Sequence, residues 1–435
     1  YSPPRDNRAC TTQLENVMHG EHSRSSARTL DFREFVVLTA LVMACQAIAV
    51  DTMLPALPAI GHDLGVTDAN STQWVITTYI AGVGLGQLFW GMLSDRFGRR
   101  RVLLIGLTLY VLAAAAVGMA GTFEALLVWR FVHGIAAASM VIARSIIRDL
   151  YGGRQMARVM SLTFIVFLMV PVLAPSLGQL ILFLAPWRTV FILFGAYALC
   201  VLLWVSLRLP ETQHPEYRLT LTLDHILSAT ALVLGNRISL CYTLALAVMF
   251  GSILAYVGMV PQIFEHTFQH PGLMPTMFAL CAASMGVTAF LNSRIVERVG
   301  MRYVSHLGLL VFIGFTAVHA LIAAAGWENL PTFVVLQAAT MACLGLTASN
   351  FGAMAMEPVG AVAGVGASLQ GFISTFGGAV VGALIGRGFD GTTLPLVRGA
   401  FICGLAALVF VLLAEQWRLF RAHHAGSAPP IEGVV

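Results

Sequence analysis

Twelve apolar stretches recur along the chain, separated by short polar or glycine-containing segments. A helix of about 20 apolar residues crosses the roughly 30 Å hydrocarbon core of a bilayer, and each stretch is long enough to do so. Glycine and proline inside several stretches are compatible with spanning, because neighbouring helices can satisfy the freed backbone groups. The sequence therefore predicts an all-α polytopic membrane protein with twelve transmembrane helices. The spans are predicted to begin near Phe35, Thr72, Val102, Phe123, Arg158, Thr189, Ile238, Met274, Tyr303, Thr332, Gly360 and Val397.

The composition agrees with lipid as the solvent of the fold. Hydrophobic residues make up 58% of the chain and charged residues 11%, against roughly 25% charged residues in soluble domains. There is no lysine, so the net charge of +4 reflects arginine and is interpreted as a signal of membrane orientation. Nucleic acid is not an expected partner. The seven cysteines are scattered without paired or metal-type spacing, and no metal or cofactor is predicted.

Arginine is distributed unevenly between the two sides that twelve spans would create. With both ends in the cytoplasm, thirteen arginines fall in cytoplasmic loops and span edges, and three fall on the other side. This bias is the one that the positive-inside rule predicts, and both termini are therefore expected in the cytoplasm. The cytoplasmic set is Arg96, Arg99, Arg100, Arg101, Arg148, Arg154, Arg158, Arg208, Arg218, Arg237, Arg294, Arg298 and Arg302, and the other set is Arg188, Arg387 and Arg398.

The longest internal polar segment divides the chain into six spans and six spans. The predicted divisions are a polar cytoplasmic tail at 1–34, a six-helix bundle at 35–209, a cytoplasmic linker at 210–237, a second six-helix bundle at 238–419 and a cytoplasmic tail at 420–435. Within the linker, residues 223–234 form a near-apolar stretch. That stretch is either an interfacial helix on the inner membrane surface or a simple tether.

A charged glycine-containing turn at residues 91–101 recurs in weaker form at residues 297–302, 202 positions later. The repeat predicts two homologous, pseudo-symmetric halves. Asp95 can pair with a neighbouring helix end, the glycines permit close approach, and Arg99 and Arg100 can bind carbonyl ends or acids of the other half. The turn is therefore predicted to act as a gate between the halves. Its residues are Gly91, Asp95, Arg96, Gly98, Arg99 and Arg100.

Asp51 and Arg130 are opposite charges predicted at the same membrane depth. Asp51 lies eight residues before Ala59, near the end of the first span, and Arg130 lies eight residues after Thr122, where the fourth begins. Ionisable residues within a membrane usually face a cavity or a partner and mark function. We hypothesise that Asp51 binds and releases a proton and that Arg130 modulates it as their separation changes. The alternative is a static ion pair that fixes the first span against the fourth.

Four motifs carry a resemblance to a known family, at residues 51–58, 91–101, 127–134 and 171–178. Through them the chain, from Phe35 to Leu419, resembles the major facilitator superfamily and, within it, the twelve-helix drug:proton antiporters of the Bcr/CflA (bicyclomycin/chloramphenicol resistance) branch. The resemblance implies a role for Arg130 in proton coupling, and an antiporter motif in helix 5 formed by Pro171, Pro175 and Gly178. The chain departs from the family at Gln179, where a second glycine is usual, and at Met43, where multidrug members can carry a second acid.

The resemblance further implies alternating access in the bacterial inner (cytoplasmic) membrane, with a small-molecule substrate, protons and the lipid bilayer as partners and a monomer as the working unit. The predicted function is proton-coupled export of small, largely apolar drugs or toxic compounds. The alternative is a dedicated exporter, or a proton symporter, of a specific metabolite, peptide or siderophore. An enzyme is disfavoured, because there is no His-Glu-x-x-His and residues 366–370 lack the final glycine of a nucleophile elbow.

Several polar residues inside the spans are candidates for substrate binding. Each of them either hydrogen-bonds a ligand or joins two helices. Arg144 is interpreted first as a snorkelling or loop-pairing arginine and second as a substrate contact. The candidate substrate-binding residues are Gln370, Asn350, Tyr256 and His133.

Overall fold

The computed structural model describes residues 30–66, 68–151, 153–213 and 223–420, and every regular element in these ranges is helical. Within them, eleven helices are long and apolar enough to cross a membrane. The remaining span is a 32-residue helix whose described apolar part is Met169–Leu184. The predicted all-α fold is confirmed. In chain order the spans are α1 (Phe32–Asp63), α2 (Asn70–Phe97), α3 (Arg99–Gly118), α4 (Phe123–Leu150), α5 (Gly153–Leu184), α6 (Arg188–Arg208), α7 (Arg237–Thr267), α8 (Pro271–Val299), α9 (Met301–Ala324), α10 (Leu330–Gly360), α11 (Ala363–Gly386) and α12 (Leu394–Ala414).

The segment between α6 and α7 contains a linker helix, Leu223–Gly235. This helix contacts α11 and buries Ala229 and Val233, whereas Leu227 and Leu232 are exposed. Such packing on one face fits both a tether and an interfacial helix. Residues 1–29 and 421–435 of the predicted tails, and residues 214–222 of the predicted linker, lie outside the described residues.

Two glycines with the same backbone geometry form the turns at the repeated motif. Gly98, between α2 and α3, has φ 98° and ψ 146°, and Gly300, between α8 and α9, has φ 91° and ψ 148°. Glycine adopts a positive φ without the steric cost that a Cβ would impose. Because the two turns stand at equivalent places, they support the predicted relationship between the halves.

The helix contacts repeat between the two halves. In the first half α1 packs against α5, α2 against α4 and α3 against α6, and in the second half α7 packs against α11, α8 against α10 and α9 against α12. Across the halves, α2 contacts α11 and α5 contacts α8, which are again equivalent pairs. The structure is therefore two pseudo-symmetric six-helix bundles, and the space between them is where a shared cavity forms.

Candidate functional site

A cavity lies between the two halves and reaches the arginine-rich face, which we define as the end of the bundle that carries residues 96–101. Its outer part, the mouth chamber, measures about 610 Å³ and is lined near that face by Asp95 and Arg148. Its inner part, the deep chamber, measures about 250 Å³. Gln87 and Arg144 line both chambers, so the two adjoin.

The opposite end of the bundle is closed by contacts between the halves. The Gln73 amide donates to Oε1 of Gln262 at 2.7 Å and to the carbonyl of Gly386 at 3.2 Å. Asn70 donates to the carbonyl of Phe389 at 3.1 Å. The space beneath this seal, lined by Gln73, has a volume of only about 10 Å³. The cavity is therefore accessible from one membrane face.

A break in α1 sets the position of Asp51. Regular α-helix ends at Asp51 and a 3₁₀ turn, Leu54–Ala56, follows. Pro55 explains the break, because it has no N–H to donate to the carbonyl of Asp51 and its ring would clash with that group. Asp51 is 8% exposed and lines the deep chamber, and no hydrogen bond or ion pair joins its side chain to another described residue. Its carboxyl group can therefore exchange a proton with, or accept a hydrogen bond from, a molecule in the chamber.

Gly178, of the helix 5 motif, packs directly against this break. A Cβ on Gly178 would stand 1.9 Å from the carbonyl oxygen of Thr52 and 3.4 Å from Cδ of Pro55. Pro171 and Pro175 lie within α5, which continues through both. The absence of a side chain at Gly178 is what lets α5 approach the residue that follows Asp51.

Arg130 is fully buried between the first-half helices and does not line either chamber. Its Nε donates to the carbonyl of Val75 at 3.2 Å, and its Nη2 donates to the carbonyl of Ala49 at 3.1 Å. The guanidinium carbon lies 4.3 Å from the ring centroid of Tyr79 and 5.6 Å from that of Phe191. Backbone carbonyls and aromatic faces therefore satisfy this cation.

Among the described residues, no ion pair within 4.0 Å joins Asp51 to Arg130. The static pair considered as an alternative is thus not formed in this structure. The two residues are instead linked through the backbone, since Arg130 binds the carbonyl of Ala49, two positions before Asp51. Arg130 therefore stabilises the last turn of the regular α1 helix, which carries Asp51.

His133 supports Arg130 rather than the cavity. Its ring lies 4.2 Å from the ring of Tyr110 and 5.3 Å from that of Tyr79, centroid to centroid, and it is fully buried. Its Nδ1 is 3.2 Å from Nη1 of Arg130. A guanidinium can only donate, so Nδ1 accepts, and a neutral ring then carries its proton on Nε2.

The other predicted substrate residues separate into one that lines the cavity and two that join helices. Gln370 lines the mouth chamber and donates to the carbonyl of Gly352 at 3.0 Å. Asn350 instead exchanges amide hydrogen bonds with Asn292 at 3.0 and 3.2 Å. Tyr256 is buried and stacks on Phe278 with ring centroids 5.7 Å apart. Tyr256, Asn350 and His133 line neither chamber, and their contact with substrate stays a prediction.

The gate motif binds partners in its own half and at the start of the linker. Arg99 pairs with Asp95 and with Asp149, the latter at 2.9 Å, and its Nη1 donates to Ser94 at 2.7 Å. The backbone N–H of Arg99 donates to Glu211 at 2.8 Å. This corrects the expectation that Arg99 would reach the other half, since nearer acids already occupy it.

The remaining motif residues lie around this cluster. The Nη2 of Arg100 donates to the carbonyl of Ser206 at 2.6 Å, again within the first half. Gly91 faces the second half, where a Cβ on it would stand 3.4 Å from Oγ of Ser368. Arg96 stacks over the ring of Phe97 at 5.3 Å. Of these residues, Gly91 is the one placed against the opposing bundle across the cavity.

Arg144 lies in the cavity, whereas the sequence favoured a snorkelling or loop-pairing arginine at this position. It lines both chambers instead of reaching the membrane surface. A continuous α-helix would direct Arg144 within about 40° of Arg130, since 14 residues nearly complete four turns. The 3₁₀ segment Ala138–Val141 lies between them, and its four residues at about 3.0 per turn move Arg144 from about 40° on one side of the direction of Arg130 to about 40° on the other. Gln46 and Gln87, which also line the deep chamber, carry no motif that singles them out.

Comparisons with known proteins agree with this architecture. The family model of the Major Facilitator Superfamily matches residues 39–383. Multidrug resistance protein MdtL of Klebsiella pneumoniae (strain 342) is 30% identical over 85% of this chain and 93% of its own length. The bicyclomycin resistance protein homolog of Haemophilus influenzae is 28% identical over 87% of this chain and 94% of its own length. These relatives are consistent with the Bcr/CflA branch.

Solved structures share the fold at low identity. The human organic anion transporter MFSD10 (TETRAN) superposes with a TM-score of 0.65 at 19% identity, covering 89% of this chain and 99% of that one. A D-xylose-proton symporter superposes with a TM-score of 0.68 at 14% identity, covering 89% of this chain and 98% of that one. With twelve spans in two related bundles around a central cavity, and with a family match over most of its length, this chain belongs to the Major Facilitator Superfamily.

Proposed function

We propose that this transporter exports small, largely apolar drugs or toxic compounds from the cytoplasm in exchange for protons, by alternating access. The observation that carries the proposal is Asp51, a carboxyl group without a partner among the described residues, in a chamber that is open to one membrane face. Relatives named for multidrug, bicyclomycin and chloramphenicol resistance support drugs as the cargo. No enzymatic activity is proposed.

The arginine bias assigns the direction of transport in this proposal. By the positive-inside rule the arginine-rich face is cytoplasmic, and both termini then lie in the cytoplasm of a bacterial inner membrane. A cavity that reaches this face and is sealed at the other represents the inward-facing state. A monomer holds the complete cavity, since the walls come from both halves of one chain.

In the proposed cycle, proton and substrate alternate at Asp51. The inward-facing cavity releases the proton and admits substrate, and the outward-facing cavity releases substrate as Asp51 is protonated. One proton entering down about 100 mV contributes about 2.3 kcal/mol, and each pH unit adds about 1.4 kcal/mol. Arg130 modulates the cycle by changing its hold on the carbonyl of Ala49 as the helices tilt. The gate motif stabilises the end of α2 against α3 during this motion.

The test is substrate-induced proton release from purified protein in proteoliposomes, across a panel that contains chloramphenicol, bicyclomycin, amino acids and small peptides. Wild-type protein should release protons on addition of drugs, and Asp51→Asn should release none while retaining its elution profile and thermal stability. Proton release by Asp51→Asn at the wild-type level would refute the coupling role. A response confined to one metabolite or peptide would favour the dedicated exporter.

A further inference from the structure

The cavity wall carries several charged side chains. The titratable acids and arginines of the two chambers are Asp51, Asp95, Arg99, Arg144 and Arg148. Arg99 and Asp95 bind each other, whereas no hydrogen bond or ion pair joins Arg144 or Arg148 to another described residue. Arg148 lines only the mouth chamber, so in the deep chamber one unpaired arginine, Arg144, accompanies one unpaired carboxylate, Asp51.

Arg144 is the arginine that shares the deep chamber with Asp51. Its side chain is exposed, and the exposed surface faces the cavity because Arg144 lines both chambers. Much of the surrounding wall is apolar and includes Met140, Phe250 and Ile253. A guanidinium in such surroundings gains strongly from a planar acceptor such as a carboxylate, which it can bind through two parallel hydrogen bonds.

We propose, building on the export function above, that Arg144 is the second charged group of the binding site and that the preferred substrates are dipolar molecules without net charge. A carboxylate or similar acceptor of the substrate binds Arg144. A donor such as an ammonium or hydroxyl group binds ionised Asp51, and an apolar body between them packs on Met140 and Phe250. Protonation of Asp51 removes the charge that holds the donor, so proton binding and substrate release remain linked. A cation without an acceptor leaves Arg144 unmatched and is repelled by it.

Ciprofloxacin and two derivatives provide a matched test, because all three are fluorescent and each derivative masks one charged group of the parent. Near neutral pH the parent carries a carboxylate and an ammonium, its ethyl ester is a cation, and its N-acetyl derivative is an anion. Binding is measured by fluorescence anisotropy with full-length protein in lipid nanodiscs. Wild type should bind the parent about tenfold to a hundredfold more tightly than either derivative, which is the range for losing a hydrogen bond to a charged group.

The variants assign each preference to one residue. Arg144→Gln should bind the parent and the ester equally but still reject the N-acetyl derivative. Asp51→Asn should bind the parent and the N-acetyl derivative equally but still reject the ester. Arg144→Lys should retain part of the preference for the parent. Arg148→Gln, which removes the arginine at the mouth, should leave both preferences intact. Gel filtration and thermal melting confirm that each variant is folded.

Equal binding of parent and ester by wild type, an unchanged preference in Arg144→Gln, or no binding of any of the three compounds would overturn the inference. Substrate-induced proton release is measured in parallel. If protons are exchanged but the charge preference is absent, the proposed function stands and this inference is refuted. If the charge preference is present but no protons are exchanged, this inference stands and proton-coupled export is refuted.

Discussion

Gly178 of α5 and Thr52 of α1 are in backbone contact, since a Cβ on Gly178 would stand 1.9 Å from the carbonyl oxygen of Thr52. This contact lies one residue beyond Asp51, where Pro55 interrupts α1. The helix 5 motif and the motif at residues 51–58 therefore form one structural unit. Its geometry fixes the direction in which the Asp51 carboxyl faces.

Gly178→Ala should accordingly destabilise the fold by about 1–3 kcal/mol, the range for overpacking a tight contact, and should displace Asp51. Thermal unfolding in detergent and substrate-induced proton release are the measurements. Gly314→Ala is the control, because a Cβ at this glycine of α9 meets nothing within 4 Å. Wild-type melting and proton release in Gly178→Ala would show that the contact is not needed.

The paired turn glycines permit a comparison within one molecule. Gly98 and Gly300 have nearly the same positive φ, but a Cβ on Gly98 would stand 2.5 Å from Oε2 of Glu211, whereas one on Gly300 meets nothing within 4 Å. Gly98→Ala and Gly300→Ala should both incur the cost of a positive-φ, high-ψ conformation that is essentially confined to glycine, about 1–3 kcal/mol. Gly98→Ala should lose more, because it also displaces the carboxylate that binds the N–H of Arg99. Equal losses in thermal stability would mean that Glu211 moves freely.

Asn350 and Gln370 should differ in what their removal affects. Asn350→Ala leaves the amide of Asn292 without its main partner in the helix contact, which should cost about 1–3 kcal/mol of stability with little change in drug affinity. Gln370→Ala should weaken binding of a transported drug while the melting temperature changes little, because its amide lines the mouth chamber. Isothermal titration and thermal unfolding of the two variants test this. The reverse pattern would identify Asn350 as a binding residue.

The parts of this fold that follow from local sequence were predicted, and the parts that depend on helix packing were not. Long apolar stretches give the spans directly, and Asp51 and Arg130 were found because charges are rare in such stretches. Their partners depend on which helix faces which, so the carbonyls of Ala49 and Val75 that hold Arg130 have no local signal. Likewise, the sequence shows Asn350 only as a polar residue within a span, which is what a ligand contact would be. Its hydrogen bonds with Asn292 depend on the packing of α8 against α10.

Arg144 illustrates a second limit, that of helix phase. Apolar periodicity assumes a constant rotation of about 100° per residue along a helix. The short 3₁₀ segment Ala138–Val141 increases this rotation within α4. No proline or polar residue other than Ser139 marks this change. Because Arg144 lies about 40° from the direction of Arg130 with or without this segment, only on opposite sides of it, the rotation of α4 alone does not predict that Arg144 lines the cavity.

Arg130→Lys tests whether the buried cation acts on Asp51 through the backbone. A lysine keeps the charge, but its single ammonium cannot reproduce the fork that binds the carbonyls of Val75 and Ala49 together with the ring of His133. Because Arg130 does not line the cavity, drug affinity at a pH where Asp51 is ionised should stay within about twofold, well below the change from losing one charged hydrogen bond. Substrate-induced proton release should fall by about tenfold or more, since the end of α1 loses its anchor. Stopped-flow measurement with a pH-sensitive dye, together with titration calorimetry on the same protein, separates the two effects. Loss of drug binding with proton release preserved would place Arg130 in the binding site instead.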